Sequence, residues 1–201
     1  MIVGSVADSD GRSRKDPEGT RAAVIDAALT LFAERGPAGA TLADIAVAVG
    51  LSKGAVTHHF DSKDALVDAA LSRCADELVA LADRATVDTD PPLARARALL
   101  SAWWSPPDPS APLRVFASLS ALAAHDPRLS GAVTLHSAGV IAQLARRLDE
   151  ALAAAGMRPT VPTEELARWA LATAVGLALL QPPTADARRA AEAAVVGLMR
   201  W

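Results

Sequence analysis

The segment from Thr41 to Phe60 constrains the fold more than any other part of the chain. Ala46 is followed four positions later by Gly50, and Ser52 stands just beyond the glycine. Two short helices that cross closely need a small residue where they touch and a residue that tolerates positive φ in the turn between them. Apolar residues suited to lock that crossing stand at Ile45, Leu51 and Val56. The spacing therefore predicts a helix-turn-helix, with Ser52 capping its second helix.

Apolar residues recur at helical spacing along the rest of the chain, between clear start and stop signals. The first helix is predicted from Asp16-Pro17 to Gly36-Pro37, and three more over 41–49, 53–59 and 63–85. Beyond them we predict helices over 93–104, 113–124, 127–156, 164–180 and from 185 onward. The proline-rich segments 105–112 and 181–184 separate some of these helices, the first as a rigid linker. No stretch has the alternation of a strand, so the expected fold class is all-α with about nine helices.

Composition limits the partners and the cellular location. The net charge is −3, and residues 1–63 hold seven Lys/Arg against eight Asp/Glu, so charge alone does not favour a nucleic-acid partner. The longest apolar stretch, 169–180, is too short to span a bilayer, and the polar start lacks the layout of a secretion signal. A single cysteine, Cys74, excludes an internal disulfide. We expect a soluble cytoplasmic protein with no membrane partner.

Catalysis finds little support in the sequence. There is no glycine-rich phosphate loop, and no paired-carboxylate or Cys–His arrangement has supporting context. The four histidines show no metal-ligand spacing, since His58 and His59 are adjacent and face different ways on a helix. We therefore predict no catalytic residue, no metal site and no cofactor.

Several elements together resemble a known family. The segment TLADIAVAVGLSKGAVTHHFDSKDALV (41–67), preceded by AALTLFAERG (27–36), is similar to the DNA-binding domain of the TetR family of regulators. The matching elements are Phe32, Gly36, Thr41, the Ala46/Gly50 pair, Ser52-x-Gly54 and Phe60-x-x-Lys63-x-x-Leu66. One position departs from the pattern, because Thr57 stands where an aromatic residue is usual.

The resemblance implies a DNA-binding role for nine residues. Phosphate contacts, which fix register without reading sequence, are implied for Thr41, Ser52, Thr57, His59 and Lys63. Reading of base edges by the leading part of the third helix is implied for Lys53, Gly54, Ala55 and His58. Simpler roles compete: Thr41 and Ser52 would cap their helices without DNA, and His59 would serve in packing. Basic residues of the arm over 1–15 either reach the DNA or are merely solvated.

Periodicity suggests residues for a small-molecule site in the rest of the chain. His136 shares one face of the long helix with Leu129, Val133, Val140 and Leu144, and a buried imidazole needs a partner. The predicted ligand-binding residues are Cys74, Leu78, Trp103, Trp104, Phe116, Ser120, His136 and Val140. Together they would line an apolar cavity with a few polar groups, favouring an apolar or amphipathic effector. The alternative is that they form only the core.

The last two helices carry more apolar surface than one protomer needs, which predicts a homodimer through them. Two recognition helices related by that dimer would read an inverted repeat of operator DNA. The expected domains are an arm (1–15), a helix-turn-helix domain (16–62) and a ligand-binding and dimerisation domain (63–201). The resemblance thus implies a ligand-responsive repressor released by a small molecule. The alternative is a helix-turn-helix protein that acts through protein contacts or non-specific DNA binding.

Overall fold

The computed structural model describes residues 16–87, 90–104, 110–180 and 185–198, and all the regular structure in these ranges is helical. The helices in chain order are α1 (Pro17–Gly39), α2 (Leu42–Ala48), α3 (Lys53–His59), α4 (Lys63–Arg84), α5 (Pro92–Ser101), α6 (Ala111–Ala123), α7 (Pro127–Ala154), α8 (Thr163–Leu179) and α9 (Ala185–Leu198). The prediction of an all-α fold is confirmed. None of the described helices is long and apolar enough to cross a membrane.

Helix α1 begins and breaks where its sequence directs. Asp16 caps it, its carboxylate accepting from the Glu18 backbone N–H at 3.1 Å, and Pro17 occupies the first turn. At Gly36 the backbone leaves the helical region (φ 69°, ψ 164°), and one further helical turn follows to Gly39. Only glycine adopts that φ without strain, so the predicted stop at this position is confirmed.

Helix α4 is the structural centre of the chain. Ser62 caps it by accepting from the Ala65 N–H at 3.1 Å. Its buried residues recur at helical spacing, and the helix packs against α1, α5, α6 and α7. One continuous apolar core therefore runs from α1–α3 through α4 into α5–α8. A displacement of α4 would be felt on both sides, because close-packed interiors transmit strain.

The boundaries of the later helices differ slightly from those predicted. Helix α6 begins at Ala111, since the Ser110 hydroxyl accepts from the Leu113 N–H at 3.3 Å and Pro112 fits the first turn. The end of the predicted 105–112 linker is therefore helix, and α5 ends at Ser101 with a turn over 102–104. Gly156 follows the end of α7 at φ 68°. The predicted arm (1–15), residues 105–109 and residues 181–184 lie outside the described ranges.

Candidate nucleic-acid interface

Helix α2 begins with a reciprocal capping box. The Thr41 hydroxyl accepts from the Asp44 N–H at 3.1 Å, and an Asp44 carboxylate oxygen accepts from the Thr41 N–H at 2.8 Å. The same carboxylate oxygen accepts from the Thr41 hydroxyl at 2.7 Å. These bonds favour the ionised form, so they hold the pKa of Asp44 below its ordinary value, with Arg35 and Lys63 adding attraction. Thr41 thus has a capping role in the protein alone, and its exposed hydroxyl faces solvent.

The turn between α2 and α3 has the geometry that the sequence predicts. Gly50 adopts φ 67°, and the next amide, of Leu51, donates to the Ala46 carbonyl at 2.9 Å. Ala46, Ile45 and Val56 are buried at the crossing of the two helices. Ser52 then caps α3 by accepting from the Ala55 N–H at 3.1 Å. The predicted helix-turn-helix is therefore present with every cap satisfied.

Helix α3 presents its first turn and one histidine to solvent. Lys53, Gly54 and His58 are exposed, while Ala55, Thr57 and His59 are half-buried. The Thr57 hydroxyl donates to the Gly54 carbonyl at 3.0 Å and keeps its lone pairs available. The rings of His58 and His59 meet edge to face with centroids 5.7 Å apart. Of the four residues predicted to read bases, Lys53, Gly54 and His58 are therefore accessible from solvent, and Ala55 is partly so.

Gly54 has no structural requirement inside the protomer. Its φ is not positive, and a Cβ built on it would meet only the Ser52 Oγ at 3.9 Å. Glycine in a helix costs free energy relative to alanine, so folding alone would favour a larger residue here. The bare backbone at this exposed position suits the close approach of another molecule.

Lys63 stands at the first position of α4, beside the end of α3. Its side chain is half-buried, and it makes no ion pair or side-chain hydrogen bond with any residue of the described ranges. Phe60, which joins α3 to α4, is buried, and the Arg21 guanidinium lies 4.9 Å from the centre of its ring. Lys63 thus carries an ammonium group with no direct ion pair or hydrogen bond in the described ranges, at the start of a helix that Ser62 caps.

Six of the residues predicted to bind a ligand lie together in the apolar core: Cys74, Leu78, Trp103, Trp104, Phe116 and Val140. The Trp103 indole N–H donates to the Leu78 carbonyl at 2.8 Å, which ties the turn after α5 to α4. Burial raises the pKa of the Cys74 thiol to about 12, with Glu77 adding repulsion, so it stays protonated. The Trp104 Nε1, in contrast, is buried with no acceptor among the described residues.

The other two predicted ligand residues lie at the margin of the core. The Ser120 hydroxyl donates to the Phe116 carbonyl at 2.7 Å within α6. His136 finds the partner that its apolar surroundings call for, since its Nε2 lies 3.0 Å from a carboxylate oxygen of Asp68. None of the eight residues lines either of two grooves found on the surface. The described residues include no cluster of His, Cys, Asp or Glu suited to a metal ion.

Comparison with known proteins identifies the family. Residues 24–70 match the family described as "Bacterial regulatory proteins, tetR family". The chain is 45% identical over 71 residues to the HTH-type transcriptional repressor KstR2 of Rhodococcus jostii, covering 35% of this chain and 32% of that protein. It is 34% identical over 111 residues to the HTH-type transcriptional regulator BetI of Burkholderia thailandensis, covering 54% and 57%. The N-terminal region of this chain, residues 24–70, therefore matches the TetR family.

The fold of the chain agrees with this match. A transcriptional regulator from Rhodococcus sp., assigned to the TetR family, superimposes with a TM-score of 0.76 at 20% identity, over 91% of this chain and all of the other. In sequence, the matches to KstR2 and BetI span about a third and just over half of those proteins. Both relatives are named as regulators of transcription, which supports the prediction that the chain is not an enzyme.

Sequence reasoning missed the polar contacts that join α4 to α7. Arg128 pairs with Asp64 at 3.3 Å, and Arg147 donates from Nη2 to Asp83 at 2.8 Å. With the contact of His136 to Asp68, three aspartates of α4 face three basic side chains of α7. The i, i+4 spacing of Asp64 and Asp68 signalled a shared face but gave no partner. Val47 of α2, 80% exposed beside the turn, was missed as well.

Proposed function

We propose that this chain is a ligand-responsive transcriptional regulator that binds an inverted repeat of operator DNA as a homodimer, most simply as a repressor. The carrying observation is the exposed first turn of α3, with Lys53 and the bare backbone of Gly54, followed by the half-buried Lys63 at the first position of the next helix, α4. A donor-bearing, sterically open surface at a helix start fits the major groove and its flanking phosphates. The repressor name of KstR2 supports the direction of regulation.

The proposed contacts follow the exposure of the side chains. Bases are read by Lys53, Gly54, Ala55 and His58. Phosphates are bound by Thr41, Ser52, Thr57, His59 and Lys63. The Ser52 hydroxyl accepts from the Ala55 N–H, so its proton can be donated to a phosphate. The hydroxyl protons of Thr41 and Thr57 are donated to Asp44 and to the Gly54 carbonyl, so these two contacts require those hydrogen bonds to be exchanged. Lys63 is the strongest phosphate candidate, since its ammonium forms no ion pair or hydrogen bond in the described ranges and is attracted only at longer range by Asp44.

The homodimer would form through α8 and α9. An exposed stripe on α8 carries Trp169, 40% exposed, and Leu179 and Leu180 near the helix end. Ala170, Ala174 and Leu177, on the neighbouring face, are buried within the protomer. The surface available to a second copy is therefore narrower than the sequence suggests, with Trp169 as its largest apolar group. Burial of such an aromatic side chain is typical of the residues that dominate interface energetics.

The effector site would lie beside Trp104. A buried N–H without an acceptor costs about 1–3 kcal/mol, and an effector with one polar atom would supply the missing hydrogen bond. Phe116 and Val140, which belong to the same buried core as Trp104, are apolar, which fits an apolar or amphipathic effector. Trp104→Phe keeps an aromatic ring and removes the donor. We expect it to fold normally and to lose effector response.

Helix α4 would connect the two sites. It places Lys63 at one end and the buried Cys74 and Leu78 farther along, so it joins the proposed domain 16–62 to the rest of the domain 63–201. An effector that favours a different position of α4 would change the separation of the two recognition helices in the dimer. The required coupling is about 1–3 kcal/mol. Independent binding of DNA and effector would contradict this mechanism.

Selection of bound sequences from random duplex DNA tests the proposal. We expect enrichment of one inverted repeat. Lys53→Gln should relax the base preference at one position of each half-site. Lys63→Gln should weaken binding to all sequences alike and lower the slope of log affinity against log salt concentration by about one. Arg146→Gln, which removes an exposed cation of α7, is the matched control and should change neither.

The outcome also separates the alternative functions. Absence of any enriched sequence at moderate salt would overturn operator binding and favour a helix-turn-helix that contacts proteins. Equal binding of all duplexes with a steep salt dependence would instead indicate non-specific DNA binding.

A further inference from the structure

A groove of about 410 Å³ lies where the DNA-binding helices meet the rest of the protein. The end of α1, the start of α4 and the corner between α6 and α7 surround it. Its walls are largely apolar and include Val67, Leu122, Leu129 and Ala132. Leu122 is 42% exposed near the end of α6, a helix in which most residues are buried or half-buried. The volume falls within the range of small-molecule sites, and the apolar walls would bury a hydrocarbon body.

Most charged groups around this groove are already engaged with one another. Asp64 pairs with Arg128 at 3.3 Å, and Asp68 lies 3.0 Å from the His136 Nε2. Asp126 caps α7 by accepting from the Arg128 and Leu129 N–H groups at 2.9 and 3.4 Å. The three carboxylates and the guanidinium therefore have partners within the protein. A ligand that used any of them would have to replace an existing interaction.

Two polar side chains of the groove, Lys63 and His125, form no ion pair or side-chain hydrogen bond within the described ranges, although Asp44 attracts the Lys63 charge. The lysine is a permanent donor with a positive charge, and the imidazole donates through at least one ring nitrogen. Both side chains can therefore donate a hydrogen bond to an acceptor group of a ligand. The complementary ligand has an anionic head for these donors and an apolar body for the walls.

We propose that this groove is a binding site for an amphipathic anion, such as a carboxylate on an alkyl chain, held by Lys63 and His125 at its head and by the apolar walls along its body. The site is separate from the effector site proposed beside Trp104, which lies in the core and shares no residue with the groove. One consequence rests on the proposed function: an anion bound to Lys63 occupies the ammonium that would otherwise contact a DNA phosphate, so binding of the anion and of operator DNA would compete.

Equilibrium dialysis of the full chain with decanoate, without DNA, tests the site. Decanoate below its micelle concentration should bind once per chain, more tightly than hexanoate, while decyltrimethylammonium should not bind. Lys63→Gln removes the charge, and Leu122→Glu places a carboxylate on the wall without disturbing a buried residue. Each should weaken binding about tenfold or more, because a hydrogen bond to a charged group is lost or a like charge is introduced.

Matched controls exist for both variants. Lys53→Gln removes a lysine outside the groove, and Leu135→Glu alters a leucine of α7 that is 68% exposed and also outside it. Both should bind decanoate within twofold of the parent chain, as should Trp104→Phe. Circular dichroism of each variant confirms folding before the dialysis is interpreted.

Three outcomes would overturn the site: no binding of decanoate at millimolar concentration, undiminished binding to Leu122→Glu, or tighter binding of the cationic detergent. A fourth outcome, loss of decanoate binding in Trp104→Phe, would show that the anion binds in the core and would also contradict the proposed groove site. Failure here is distinguishable from failure of the proposed function, because the dialysis contains no DNA and the operator selection contains no decanoate.

Discussion

The α2–α3 unit and the contact between α4 and α7 satisfy their polar groups in opposite ways. In the first, each hydroxyl finds its partner three residues away, as Thr41 does with Asp44 and Ser52 with Ala55. In the second, Arg128 reaches Asp64 across 64 residues of chain, and His136 reaches Asp68 across 68. Local partners leave a sequence pattern, whereas distant ones depend on how the helices pack. The difference explains why the helix-turn-helix was readable in advance and the groove was not.

The same contrast applies to the two candidate sites for ligands. The interface at α3 is built from exposed side chains on a short, capped helix, so its surface exists whether or not the partner is present. Six of the eight predicted effector residues are buried in the core. Among the described residues, the Trp104 Nε1 is the buried side-chain polar atom there that has no hydrogen-bond partner. Four predictions sharpen or break this contrast.

The largest effect should be on the reactivity of Cys74. Burial raises its thiol pKa to about 12 from an ordinary value of 9.0, so both the access and the thiolate that alkylation needs are missing. Iodoacetamide at neutral pH should modify the native chain at least a thousandfold more slowly than the unfolded chain, since reaction requires opening. Because the folded pKa is raised, the thiol should lower stability as pH rises from 9 toward 12, and Cys74→Ala should lessen that loss. Rapid alkylation of folded protein would mean that the core opens readily to small molecules.

Phe116→Ala should have the next largest effect. The ring is 1% exposed in the shared core, and removal of a packed phenyl group costs about 3–5 kcal/mol. Urea unfolding followed by circular dichroism measures the change, with exposed His58→Ala expected to stay within about 0.5 kcal/mol as the control. A cost below about 1 kcal/mol would show that Phe116 lines a space already open, and would break the contrast between a closed core and an open interface.

Gly50→Ala should lower the free energy of unfolding by about 1–2 kcal/mol. Its φ of 67° lies in the left-handed region, where a Cβ clashes with the backbone although no neighbour lies within 4 Å of it. Thermal unfolding is the direct measurement. Because the turn orients α3 against α2, DNA affinity should fall together with stability, and unchanged stability would contradict the turn geometry.

Gly54→Ala should have the smallest effect on stability and the opposite sign. Its helical φ and open surroundings predict that the free energy of unfolding rises by up to about 0.5 kcal/mol. This is the low end of the range for a glycine inside a helix, because the residue lies in the first turn of α3. If the bare backbone serves close approach to DNA, affinity for the selected operator should nevertheless fall. Paired with Gly50→Ala, this variant separates a glycine kept for folding from one kept for binding. A gain in both stability and affinity would remove Gly54 from the proposed interface.

The sequence by itself determined the helices of the DNA-binding region, their caps and the turn at Gly50, and it pointed to the TetR family. These features arise from interactions within a few residues, such as Asp16 with Glu18 or Ser62 with Ala65, and such interactions have fixed spacing. It also placed most of the core, because burial follows the period of a helix.

The tertiary structure alone decided which α7 side chain meets which aspartate of α4, that Trp104 lacks an acceptor while Trp103 has one, and that a groove opens beside Lys63. It also divided α8 between an exposed stripe at Trp169 and a buried face at Ala170. Periodicity says that a face is apolar but not what covers it. The angle and position at which two helices cross, set by packing over the whole chain, decide the partners of each side chain.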